Sequence, residues 1–78
     1  MKKPMTKGYA LLKLYEEFRT EEKIELVKCC EAYGISVPTF RRYVATLRCF
    51  FMETHGVDLI YDYSMAGYRL EPPLPFEQ

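Results

Sequence analysis

The sequence predicts an α+β fold in which three helices are followed by a β-hairpin, and three observations carry that expectation. Apolar residues recur at helical spacing in three separate stretches between Lys7 and Phe51. Gly34 and Gly56 stand where two of these patterns break off, and a helix C-terminus favours a residue that tolerates a left-handed backbone. From Val57 onward the pattern changes to β-branched and aromatic residues interrupted by a turn signal.

A chain of 78 residues makes one small domain, near the size at which a single apolar core just suffices and a deep pocket would compete with it for side chains. With 49% hydrophobic and 28% charged residues, the composition is that of a folded chain.

In the first helix, over Lys7 to Arg19, Leu11, Leu14, Tyr15 and Phe18 fall at i, i+3, i+4 and i+7, with Thr6 as N-cap. Thr20, followed by Glu21 and Glu22, reads as the cap and acidic first turn of a second helix. Along that helix Leu26, Cys29, Cys30 and Tyr33 repeat the spacing, and Gly34 stops it at once. Ile35 leads to Ser36, the expected N-cap of a third helix whose apolar residues are Val37, Phe40, Val44, Leu47 and Phe51.

At about 100° per residue these five residues form a narrow stripe. The opposite face collects Pro38, Arg42, Ala45, Thr46 and Cys49, with Arg41 and Arg48 on one flank and Thr39 towards the other. Proline is tolerated in the first turn. The third helix therefore has one face for the core and another that is basic and short in side chains.

Beyond Gly56, Val57 to Tyr63 reads as a strand, Ser64-Met65-Ala66-Gly67 as a turn, and Tyr68-Arg69-Leu70 as the return strand. Tyr68 and Leu70, two apart, are expected on the core face, with Arg69 outward. Tyr61, Tyr63 and Tyr68 are expected to pack against the helices, the alternative being that they stack on bases or lie along a sugar-phosphate backbone. Residues 1–71 form the expected domain, and the proline-rich residues 72–78 an extended tail.

The formal net charge is zero, yet the positive charge gathers in residues 1–13 and 26–50, and the negative charge in 14–25 and 51–78. From Ser36 to Met52 there are three arginines and no acid. A neutral chain lacks the overall field of many nucleic-acid binders, so such a role must rest on where these arginines point.

Two helices joined by a tight glycine turn, the second with a basic outer face, meet the description of a helix-turn-helix whose second helix enters a major groove, and the hairpin is then a wing. Ser36, Thr39 and Thr46 are suited to phosphates or base edges, and Arg41, Arg42 and Arg48 to guanine or the backbone. Arg69 on the wing is a further backbone or minor-groove contact, with Lys2, Lys3 and Lys7 at the periphery.

The run from Gly34 to Leu47, followed by Leu59-Ile60-Tyr61-Asp62 and Gly67-Tyr68-Arg69-Leu70, resembles the N-terminal winged helix-turn-helix domain of DeoR-type and WYL-domain bacterial transcription regulators. The resemblance spans roughly residues 9 to 71 and rests on Gly34, Ser36, Thr39, Arg42, Leu47 and the Gly67–Leu70 stretch. Cys29-Cys30, Pro38 and Tyr43 replace the family's usual residues at their positions. The resemblance implies sequence-specific binding of double-stranded DNA. It also implies a following sensor domain, so that this chain is either the DNA-binding head of a longer regulator or a small regulator by itself. Useful affinity is expected to need a homodimer or that further domain.

Other classes have less support. No apolar run approaches the length of about 20 residues needed to cross a bilayer, and Lys2-Lys3 is followed by Pro4, Thr6 and Lys7, unlike a signal peptide. A cytoplasmic location is expected. Three cysteines without C-x-x-C spacing suggest neither a disulfide framework nor a zinc site, with Cys29 and Cys30 read as core and Cys49 as surface. The lone His55 reads as structural at a helix end, and Asp58 and Asp62 as charges that keep the hairpin soluble. With no nucleophile–base pair, metal set or phosphate loop, the chain is not expected to be an enzyme, and no cofactor is expected. The rival expectation is a winged helix that binds protein rather than DNA, through Phe50, Met52, Met65, Leu74 and Phe76.

Overall fold

The computed structural model describes residues 6–20 and 23–72. Lys2, Lys3, Glu21, Glu22, Leu74, Phe76 and the tail from residue 73 onward, all named above, lie outside the described residues. The order is α1 (Lys7–Thr20), β1 (Ile24–Glu25), α2 (Leu26–Tyr33), α3 (Val37–His55), β2 (Asp58–Asp62) and β3 (Gly67–Glu71). The fold is α+β, three helices with a small antiparallel sheet of order β1-β3-β2.

Thr6 caps α1, its Oγ1 accepting from the Tyr9 N–H at 3.4 Å, and the helix buries Ala10, Leu14 and Phe18. Thr20 does not start the second helix. It is the last residue of α1, and its hydroxyl donates to the Glu16 carbonyl at 3.0 Å. The chain first forms β1, and α2 begins at Leu26, with Glu25 in the N-cap position but making no side-chain cap. The Leu26 N–H is satisfied instead by the Ala66 carbonyl of the hairpin turn, at 3.2 Å.

The α2–α3 connection follows the sequence closely. Gly34 adopts φ 67° and ψ 36°. Its N–H bonds the Glu31 carbonyl at 3.3 Å while the Ile35 N–H bonds the Cys30 carbonyl at 3.1 Å, the paired bonds of a Schellman stop. Ser36 then caps α3 by accepting from the Thr39 N–H at 3.3 Å. Three residues thus close one helix and open the next.

Helix α3 buries Phe40, Val44, Leu47 and Phe51, four of the five residues of the predicted stripe, and Val37 in the first turn is partly buried against them. Leu14, Phe40 and Phe51 are the largest side chains removed fully from solvent. Phe51 stacks on Tyr15 at 5.5 Å and meets Phe18 edge-on at 6.1 Å. Cys29 and Cys30 are buried as expected. Burial foremost, then the Glu17 charge, pushes the Cys29 thiol up to about 12, so it is held protonated at neutral pH. The Tyr33 hydroxyl donates to Glu17, tying α2 to α1.

The hairpin is shifted by one residue from the expected turn, which spans Tyr63–Ala66, with Gly67 already in β3. Asp62 shapes this turn. Its Oδ1 accepts from the Ser64 N–H at 3.0 Å and from the Ser64 hydroxyl at 2.6 Å, a local Asx turn. Leu59 pairs with Leu70, and Tyr61 with Tyr68, so all four share the face that looks at the helices.

Strand β1 was not expected, since two residues are too few to show alternation. It pairs Ile24 with Tyr68 and Glu25 with Gly67. A Cβ on Gly67 would overlap the Ile24 carbonyl oxygen, a backbone atom. Gly67→Ala should therefore destabilise the domain by about 1–3 kcal/mol through forced overpacking, read as a lower urea midpoint.

Candidate nucleic-acid interface

Burying one stripe of α3 leaves Arg41, Arg42, Ala45, Thr46, Arg48 and Cys49 exposed. Polar side chains follow one another along this surface. The Ser36 hydroxyl donates to Thr39 Oγ1 at 3.0 Å, Arg42 Nη2 donates to the same oxygen at 3.2 Å, and the Thr46 hydroxyl donates to the Arg42 carbonyl at 3.3 Å. One end of the Arg42 guanidinium is thus held near the start of the helix, while five N–H donors leave it ample capacity for a ligand. Ser36, Thr39, Arg42 and Thr46, expected together from the sequence, are brought together.

The remaining arginines divide by their neighbours. Among the described residues, neither Arg41 nor Arg42 is paired with a carboxylate. Arg48 is bound by Asp58 in a two-point fork, Nε to Oδ1 at 2.7 Å and Nη2 to Oδ2 at 3.1 Å. It fastens α3 to β2. Arg69 points away from the core face as expected, but its Nε donates to Asp62 at 3.1 Å and its Nη1 to Glu71. The positive charge expected at Arg48 and Arg69 is therefore met within the chain, by one carboxylate at Arg48 and two at Arg69.

These pairings also revise the reading of Asp58 and Asp62. They act as partners of α3 and β3 as well as surface charges. Sequence spacing does not reveal the Arg48–Asp58 contact, because ten residues and a chain reversal separate the two. The Arg69–Asp62 contact is readable only once the register is known, which sets Arg69 against Ile60 and diagonal to Asp62.

Between α3 and the hairpin runs an open groove lined by Arg41, Ala45, Arg48, Ile60, Tyr61 and Tyr68. Arg41 stands on its helical wall. Tyr61 and Tyr68 lie on the strand side, half-buried against the core, as expected, whereas Tyr63, expected to pack with them, is exposed because it stands in the turn beyond the end of the strand. At the far end of α3, His55 lies among Tyr15, Phe50 and Phe51 with ring centroids 6.5, 6.1 and 5.7 Å away. Its surroundings are aromatic packing. Among the described residues no cluster of three or more potential metal ligands occurs, and no helix is long and apolar enough to cross a membrane.

Hydrogen bonds from Arg48 first, and the Leu59 N–H second, hold the Asp58 carboxyl below the usual carboxylate range. Ser64 first, then Arg69, does the same for Asp62. A carboxylate whose folded value is depressed adds stability that is present above its unfolded value, about 3.9, and is lost as pH falls through the folded value. Stability should therefore decline below about pH 4. Asp58→Asn should make that acid limb shallower, measured by thermal unfolding across pH.

Comparison of the chain with protein-family models, with curated proteins and with solved structures returns no match, so the reading of this surface rests on its own geometry and chemistry.

Proposed function

We propose that this chain is a winged helix-turn-helix domain that binds double-stranded DNA sequence-specifically and acts in transcription regulation. In this reading α3 is the recognition helix and the β2–β3 hairpin is the wing. The observation that carries it is the exposed face of α3, where Arg41 and Arg42 stand without carboxylate partners among the described residues and Ser36, Thr39 and Thr46 add polar groups beside them. An α-helix fits the major groove, and a guanidinium pairs with guanine or phosphate. Arg42 lies opposite the buried stripe and is the side chain suited to base edges. Arg41, on the flank, is suited to the backbone.

The wing contributes less charge than its sequence suggests, since Arg69 is engaged by Asp62 and Glu71. Few phosphate contacts then remain, which favours action as a homodimer or beside a further domain. The protein-binding alternative draws support from the 41% and 48% exposure of Phe50 and Met52. Salt separates the two readings, because an apolar interface responds to it weakly.

Binding to a random duplex pool tests the proposal. If Arg41 neutralises one phosphate, its share of the affinity should fall about threefold for a fourfold rise in salt. The Arg41→Ala/Arg42→Ala double variant should lose that dependence, and the sequences enriched by wild type name the site. Absence of binding at low salt, with the domain migrating as a complex, favours the protein-binding reading. Asp58→Asn gives a second check. Releasing Arg48 should raise duplex affinity and steepen the salt slope by roughly one ion.

A further inference from the structure

A chain of aromatic contacts runs from the core to the tip of the hairpin. Phe40, fully buried, lies 6.0 Å from Tyr68. Tyr68 meets Tyr61 at 5.1 Å, and Tyr61 meets Tyr63 at 4.8 Å, both edge-on. Tyr63 itself is 88% exposed, more than any other large apolar or aromatic side chain among the described residues. Turn positions of this kind usually carry small polar residues, and this ring buries too little area to serve the core.

Its placement is well defined. Tyr63 is the first residue of the turn and meets Tyr61, which lines the α3–hairpin groove, edge-on, so it extends the tyrosine side of that groove beyond the last paired residues. The Asx turn made by Asp62 and Ser64 fixes the backbone next to it. On the helical wall of the same groove stands Arg41, unpaired with any carboxylate among the described residues. The neighbouring acids are already engaged, Asp58 by Arg48 and both Asp62 and Glu71 by Arg69. Three carboxylates against two guanidiniums leave a single net negative charge there, spread over the Arg69 pair on the strands, while the positive charge on the helical wall is Arg41.

An open aromatic face beside a guanidinium suits a flat base carried on a phosphodiester. In an intact duplex the base faces are covered by their neighbours, so the ring has nothing to stack on there. An unpaired nucleotide offers both the face and the phosphate. We infer that the groove between α3 and the hairpin binds an unpaired DNA nucleotide, its base stacked on Tyr63 and its phosphate on Arg41, so that the domain prefers duplex carrying a single-stranded extension. This deepens, and rests on, the DNA-binding reading of the same surface.

The test is fluorescence anisotropy of the whole chain with three labelled oligonucleotides: a blunt duplex, the same duplex with a single-stranded extension, and the extension alone. The extension should tighten binding by about fivefold or more, in the range of one base stacked on an aromatic ring. It should also quench tyrosine emission, which is readable because the chain has no tryptophan. Tyr63→Ala, at an exposed position, should abolish that gain and the quenching while leaving blunt-duplex binding unchanged. An unaltered gain in Tyr63→Ala, or equal losses on blunt and extended duplex, would overturn the inference. Binding of the extension alone without the blunt duplex would uphold the nucleotide site and refute the duplex reading. Blunt-duplex binding with no gain from the extension would do the reverse, and no binding to any probe would refute both.

Discussion

The burial of one stripe of α3 is the constraint on which the rest of the structure depends. Phe40, Val44, Leu47 and Phe51 reach all sides of the small core, which includes Leu14 and Phe18 from α1, Cys30 and Tyr33 from α2, and Leu59 and Leu70 from the sheet. Each large apolar side chain removed from water contributes about 1.5–3 kcal/mol, a substantial fraction of the stability of so small a domain. Rotating α3 would expose these rings, so its other face is fixed by default. Arg42 points outward because Phe40 and Val44 point inward.

Around that helix, short-range devices set the angles. The Gly34 stop and the Ser36 cap turn the chain from α2 into α3 within three residues. The Asp62 turn and the close contact of Gly67 with Ile24 bring the hairpin back against β1 and the start of α2. The Arg48–Asp58 fork holds the hairpin to α3 from the other side. A solvent-exposed pair of this kind adds little stability by itself. Its larger effect is on the surface, where it removes one positive charge from a face that the linear sequence shows as uniformly basic.

Charge on this protein is therefore decided by neighbours rather than by counting. The stretch from Ser36 to Met52 contains no acid, yet Arg48 finds one across the chain reversal, whereas Arg41 and Arg42 do not among the described residues. The result narrows the basic face to the N-terminal half of α3. That half adjoins the groove where Tyr61 and Tyr68 pack, and Tyr61 in turn meets Tyr63 of the hairpin turn. Arg41, without a carboxylate partner among the described residues, and the tyrosines of the hairpin thus meet where helix and hairpin adjoin.

The sequence by itself determined the three helices, every cap and stop except the start of α2, the hairpin and the buried stripe, because each depends on residues a few positions apart. Thr6, Gly34, Ser36 and Gly56 act on their own backbone, and the stripe follows from helical period alone. It determined for the same reason that Cys29 and Cys30 face inward and Cys49 outward. Only the tertiary structure decided what depends on distant partners. Strand β1 exists because β3 lies beside it, and α2 starts late because Ala66 supplies the acceptor for Leu26. The charges of Arg48 and Arg69 are met within the chain because folding sets Asp58, Asp62 and Glu71 within hydrogen-bond reach. Local conformation is written in sequence spacing, whereas pairing across a chain reversal depends on register and packing that no spacing records.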